Sequence, residues 1–201
     1  LCLDRARAQA QGADRARLEL LTPGNNWFGR LCDEYHLSSI SFSEHNIHVV
    51  SGGKSRLDDI RTEKDNNLAA DFITETVRRL TSDPSCAVHA SISGGRKTMG
   101  FYLGYALSLY GRDQDRLSHV LVSEPYETNR NFYFPTANEK IRFIQDGSNR
   151  TRDAHQAAIT LAYIPFVPLR HGLPDGLLHG RTNYTGTVHA LQTSFAPPSL
   201  T

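Results

Sequence analysis

The densest chemistry in this chain lies in the run Ser93-Gly94-Gly95-Arg96-Lys97-Thr98. Two glycines let the backbone turn sharply and approach a ligand closely. Arg96 and Lys97 bring two positive charges, and Ser93 and Thr98 bring hydroxyls. Together these groups suit a phosphate or a phosphodiester. A glycine pair alone also serves as a tight turn, and an Arg-Lys pair as a solvated face. The combination is what favours the phosphate. A P-loop needs a glycine five residues ahead of Gly-Lys-Ser/Thr. Here Arg96 precedes Lys97-Thr98, and Ala90 and Ser91 fill the region of the first glycine. The next apolar run, His119-Val120-Leu121-Val122, carries no aspartate for magnesium. The dinucleotide pattern Gly-x-Gly-x-x-Gly is also absent from this turn.

Other constellations are thinner. The nine histidines are scattered. His45-Asn46-Ile47-His48 has the spacing of a metal pair, but reads better as a surface loop. His89 falls inside an apolar run and reads as a packed histidine with one satisfied nitrogen. The nuclease pattern of Arg, four to six residues, then His occurs from Arg30 to His36 and from Arg150 to His155. Chance alone gives about two such matches in a chain of this composition. No helical second domain follows residue 150, so a built-in nuclease of that type is not expected.

The elements around the run give it a position. Cys86 to Ile92 is an apolar stretch of strand length, Lys97 to Tyr110 has helical apolar spacing, and Leu117 to Ser123 is a second strand. Gly111 stands where the helix should stop. Strand, glycine turn, helix and strand spell a βαβ unit, with parallel strands and a right-handed crossover. In open α/β sheets, ligands sit beyond the carboxyl ends of strands, beside helix N-termini. The glycine run falls at such a point.

Upstream, residues 13–22 and 26–36 read as helices, and Ile47 to Val50 as a short strand. Thr62 and Asp65 have capping-box spacing ahead of a helix with Leu68, Phe72, Thr76 and Leu80 on one face. Downstream, Asn131 to Phe134 and Lys140 to Gln145 read as short strands, forming a hairpin. Ala157 to Val167 is β-rich, residues 172–193 are weakly helical, and Ala196-Pro197-Pro198 reads as a frayed tail. The expected fold is therefore α/β: an open, mainly parallel sheet with helices on both faces, plus a short β/α extension. The division falls at residues 1–125 for the core and 126–201 for the extension of the same domain.

Composition narrows the partners. The chain has 201 residues and a formal net charge of +1. Proteins that grip long nucleic acid by its backbone carry a strong basic excess, so the anionic partner expected here is small and locally held. Three cysteines, Cys2, Cys32 and Cys86, form no CxxC pair and fit a reducing cytoplasm better than a disulfide framework. No apolar run reaches the length of a membrane span. Met99 is the only methionine, so the natural start is expected to lie upstream of Leu1.

The run Ser91-Ile92-Ser93-Gly94-Gly95-Arg96-Lys97-Thr98-Met99-Gly100-Phe101-Tyr102-Leu103-Gly104-Tyr105-Ala106 resembles the signature of CARF (CRISPR-associated Rossmann fold) proteins. It is similar in particular to a small stand-alone CRISPR-associated family. Trp27 to Cys32, Asp58 to Thr62, Asn67 to Thr74, Asp115 to Ser123 and Ile164 to Val167 agree with it, so the likeness covers most of residues 12–170. CARF proteins normally begin with a strand ending in a Thr/Ser-rich ligand loop, and nothing near Leu1 matches that part.

The resemblance implies a Rossmann-like homodimer of type III antiviral signalling that binds a ring of four or six adenylates across its two-fold axis. It implies that Gly94, Gly95 and Lys97 hold phosphates, that Arg96 pairs with a phosphate or orients the loop, and that Thr98 and Met99 share the site. Ser123, Glu124 and Pro125 would lie near the adenine or ribose. Gly100 and Gly104 would pack on the sheet or close the dimer. Some CARF proteins cleave their ring without a metal, and Lys97 and Ser93 are the candidates for that step. Others are sensors that regulate a separate effector. No cofactor is implied. Outside this resemblance, the same residues fit a binder of an ordinary nucleotide or phosphorylated metabolite.

Overall fold

The computed structural model describes residues 9–52, 55–137, 142–180 and 183–194. The expected tail at Ala196-Pro197-Pro198, Cys2 and the segment around Leu1 lie outside the described residues. The chain opens with α1 (Gln9–Ala16), which continues as a π turn over Arg17–Leu21. Next come α2 (Trp27–Glu34), a two-residue ladder of β1 (Ser51–Gly52) and β2 (Ser55–Arg56), and α3 (Glu63–Leu80). The centre is β3 (His89–Ser91), α4 (Lys97–Tyr110) and β4 (Arg116–Val122). The rest holds β5 (Phe143–Gln145), β6 (Thr151–Asp153), β7 (Ile159–Tyr163), α5 (Asp175–His179) and α6 (Tyr184–Ser194).

The two long helices have local causes. The Asp65 N–H donates to Thr62 Oγ1 at 3.1 Å, and the Thr62 N–H donates back to Asp65 Oδ2 at 2.9 Å, so α3 starts on a closed capping box. α4 ends at Gly111, as expected, but with φ −65° rather than in the left-handed region. A side chain there would collide with the Leu107 carbonyl at 2.4 Å and the Phe166 ring at 2.7 Å. Close approach, not positive φ, makes glycine necessary.

β3 and β4 are parallel, with Ala90 opposite Leu117 and Ser91 opposite Ser118, so the βαβ unit is present. The sheet is mixed rather than mainly parallel. β7 runs antiparallel along the other side of β4, with Val120 opposite Leu161. The main core lies on one face of this sheet. There Ala106, Leu107, Leu109 and Tyr110 of α4 are fully buried with Val77, Leu117, Leu173, Leu177 and Leu191. Gly100 and Gly104 face the sheet, with ideal Cβ positions 3.7 Å from Ile92 and 3.6 Å from Leu117. The opposite face carries His89, Leu161 and Tyr163, all exposed. Helices on both faces are therefore not what the described residues show around this sheet.

Two expected strands fail for identifiable reasons. Ile47 to Val50 is extended, but pairs with no strand among the described residues; the Leu57 N–H donates to the Val50 carbonyl, and the ladder begins only at Ser51. Asn131 to Phe134 is irregular rather than a strand, and its aromatics serve as anchors: Tyr133 stacks on Trp27 with ring centroids 4.2 Å apart. The hairpin forms instead between β5 and β6. It closes a second, smaller core of Tyr126, Phe132, Ile144, Ala154 and Ala157. The β-rich stretch and the weakly helical stretch appear as β7 and as α5 with α6.

Candidate functional site

The chain leaves β3 at Ser91 and reverses over Gly94 (φ 92°) and Gly95 (φ 81°) before entering α4. Both angles lie where a side chain is strained, so the two glycines are required by the backbone itself. The loop is tied down at its start. Ser93 Oγ accepts from Ser91 Oγ at 3.1 Å and from the Val120 N–H of β4 at 3.2 Å.

Arg96 is held from across the fold. Its Nε donates to Asp59 Oδ1 at 3.0 Å and its Nη2 to Asp59 Oδ2 at 2.5 Å. Asp59 is 8% exposed, a buried carboxylate just ahead of the α3 cap. The Arg96 guanidinium, opposed by burial and aided by the Ile60 N–H and Arg61, pulls the Asp59 carboxyl down to about 2.

Loop and ion pair border one cavity of about 430 Å³. Its polar lining includes Ser91, Ser93, Arg96 and Asp59 with Gly94 and Gly95; its apolar lining includes Phe42, Ile47, Ile73, Met99 and Leu103. Gly12, Ala13 and Ala16 of the first helix, with Asn46 and His48, also line it. Charged and hydroxyl groups together with apolar surface in one cavity suit a ligand that carries both phosphate and a ring.

The structure brings together Ser93, Gly94, Gly95, Arg96 and Met99, and leaves other expected members outside. Lys97 and Thr98 are exposed on the first turn of α4 and do not line the cavity. Ser123, Glu124 and Pro125 follow β4 and do not line it either. The Ser123 hydroxyl accepts from the Ala158 N–H at 3.0 Å, and the Ser123 N–H donates to the Ala158 carbonyl, so this residue joins β4 to β7. Asp59, Asn46 and His48 were not foreseen in this cavity. Asp58-Asp59 was visible as a motif, but its partner lies 37 residues away.

The remaining candidates resolve simply. His89 Nε2 meets Ser118 Oγ at 2.8 Å and the ring stacks on Tyr163, so one nitrogen is satisfied as expected, but the residue is exposed rather than packed in a core. His36 and His155 line one further cavity, with Glu34, Tyr35 and Thr136. Arg30, the arginine of the first nuclease-like pair, stacks over Trp27 and donates to the Gly24 carbonyl. Among the described residues no group of three or more His, Cys, Asp or Glu could hold a metal ion. No helix among them is long and apolar enough to cross a membrane.

The family model described as CRISPR-associated protein NE0113 matches residues 8–197, which takes in every element above. The chain belongs to the CRISPR-associated NE0113 family. Comparison with curated proteins and with solved structures finds no match. Within this NE0113-family chain, the glycine loop, Asp59 and the whole cavity lie inside the matched span.

Proposed function

We propose that this CRISPR-associated chain binds a cyclic oligoadenylate, cyclic tetra-adenylate first, at the glycine loop of a homodimer with a CARF-type Rossmann-like fold. The observation that carries the proposal is that one cavity is lined both by the positive-φ glycines and the fixed Arg96 and by apolar side chains such as Phe42, Ile47 and Ile73, groups that suit phosphate and adenine respectively. Phosphates would meet the Gly94–Gly95 backbone, the start of α4 and Arg96. A two-fold ring would present the same groups to each protomer.

We propose further that the bound ring is cleaved. A ribose 2′-hydroxyl gives up its proton to water and its oxygen attacks the adjacent phosphorus in line; the O2′–P bond forms and the P–O5′ bond breaks. The departing 5′-oxygen takes up a proton, so the products are a 2′,3′-cyclic phosphate and a 5′-hydroxyl. The step needs geometry and charge stabilisation, which Ser93 and Lys97 would supply. One observation favours a second reading, a non-catalytic sensor for a separate effector in type III antiviral signalling: Lys97 is exposed and outside the cavity lining.

The test is incubation of the protein with cyclic tetra-adenylate in EDTA, followed by chromatography of the nucleotides, with Lys97→Ala alongside. Linear adenylates ending in a cyclic phosphate, lost in the variant, are the expected result. Intact ring recovered on the protein supports the sensor. A ring neither held nor changed, for both the tetra- and hexa-adenylate, returns the cavity to an ordinary nucleotide or phosphorylated metabolite.

A further inference from the structure

The Asp59–Arg96 pair has an asymmetry that bears on how the cavity meets an anion. A carboxylate offers about four lone-pair positions. Asp59 has all of them engaged: Oδ1 accepts from Arg96 Nε and the Ile60 N–H, and Oδ2 from Arg96 Nη2 and Arg61 Nε. Asp59 therefore has no acceptor left for a ligand. Arg96 has five N–H donors in a rigid plane, and Asp59 takes two of them, on one edge. The Asp59 side chain is 7% exposed, and that of Arg96 is 53% exposed. Asp59 is embedded in the fold, while Arg96 is half exposed and lines the cavity.

We infer that Asp59 is a positioning residue, which locks the Arg96 guanidinium plane so that its free edge stands ready beside the glycine loop to take a phosphate oxygen pair. The inference rests on the functional reading above and adds to it the residue that prepares the site. Two parallel N–H bonds to a fixed carboxylate remove the rotamer freedom that an unsupported arginine would lose on binding. Lysine cannot replace Arg96 in this arrangement, because a point charge cannot bond the carboxylate on one edge and a phosphate on the other. The pair also ties the start of α4 to the segment just ahead of the α3 cap.

The test is a double-mutant cycle on cyclic tetra-adenylate affinity with Asp59→Asn, Arg96→Ala and the two combined. If Asp59 acts through Arg96, each single change weakens binding about tenfold, and the double variant binds no worse than Arg96→Ala alone. Losses that multiply to about a hundredfold would show that Asp59 supports the fold independently, and would overturn the inference. Affinity unchanged in Asp59→Asn overturns it as well. Should Asp59→Asn fail to fold by circular dichroism, Arg96→Lys carries the test. It keeps the charge and is expected to bind about tenfold more weakly; wild-type affinity there overturns the inference. A wild-type protein that holds no ring overturns the functional reading, and this inference falls with it.

Discussion

Asp115→Ala is expected to destabilise the protein by about 3–5 kcal/mol, a large part of the stability of a domain of this size. The Asp115 side chain is fully buried. It accepts the Val88 N–H at 2.8 Å and the Arg112 N–H at 2.8 Å, and it pairs with the Arg112 guanidinium through two contacts of 3.0 Å. Arg112 in turn donates to the carbonyls of Asp83 and Cys86. This cluster pins the approach to β3 against the approach to β4, and so sets the register that carries the glycine loop. Alanine would leave a nearly buried guanidinium and two N–H groups without their acceptor. Burial opposes the charge on Asp115, but Arg112 and the two N–H groups outweigh it and hold its carboxyl below the usual range. A depressed folded-state value contributes stability in full above the unfolded value of about 3.9, and that contribution is lost as the pH falls through the folded value. Asp59, held at about 2, works in the same direction. Urea unfolding should therefore show wild-type stability declining from about pH 4 towards pH 2, and declining less in Asp115→Ala. A variant within about 0.5 kcal/mol of wild type at pH 7 would refute the role given to this carboxylate.

Gly95→Val should remove ligand binding while leaving the fold intact. Gly95 holds φ 81°, which a β-branched residue does not adopt without strain of about 1–3 kcal/mol. An added Cβ would also stand 3.2 Å from Sδ of Met99, which lines the cavity. The residue is exposed, so the loop can shift without opening the core. A shifted loop displaces the N–H groups that would face the phosphates, and affinity for the ring should fall by about a hundredfold or more. Unchanged far-ultraviolet circular dichroism alongside lost binding is the expected pair of results. Wild-type affinity in this variant would mean that the loop geometry does not hold the ligand.

What was legible in the chain was local. The Thr62–Asp65 spacing announced α3, the apolar spacing from Lys97 to Tyr110 marked α4 to the residue, and strand, glycines, helix and strand gave the βαβ unit. Each of these follows from periodicity or capping within a few turns of chain. The errors came where distant partners decide. Asn131 to Phe134 has the residues of a strand, but Trp27, about a hundred positions away, recruits Tyr133 for stacking. The β-rich stretch after Ala157 was visible, but its antiparallel place beside β4 was not, since a strand's residues do not name its neighbour. The site divides in the same way. The glycines and Ser93 were found from the loop's own chemistry. Asp59 was not, because an ion pair spanning 37 residues leaves no local pattern. The resemblance placed Ser123 near the ligand; its hydrogen bonds with Ala158 tie it to the sheet, and it does not line the cavity.

The central claim is that the glycine loop and its cavity bind a cyclic oligoadenylate. Isothermal titration of the wild-type protein with cyclic tetra-adenylate, with linear tetra-adenylate and AMP as controls, tests it most directly. The account predicts saturable binding of one ring per two chains, in the micromolar range or tighter, with the linear and mononucleotide controls at least about tenfold weaker. No heat of binding for either the tetra- or the hexa-adenylate ring, or equal binding of AMP at one per chain, would contradict it.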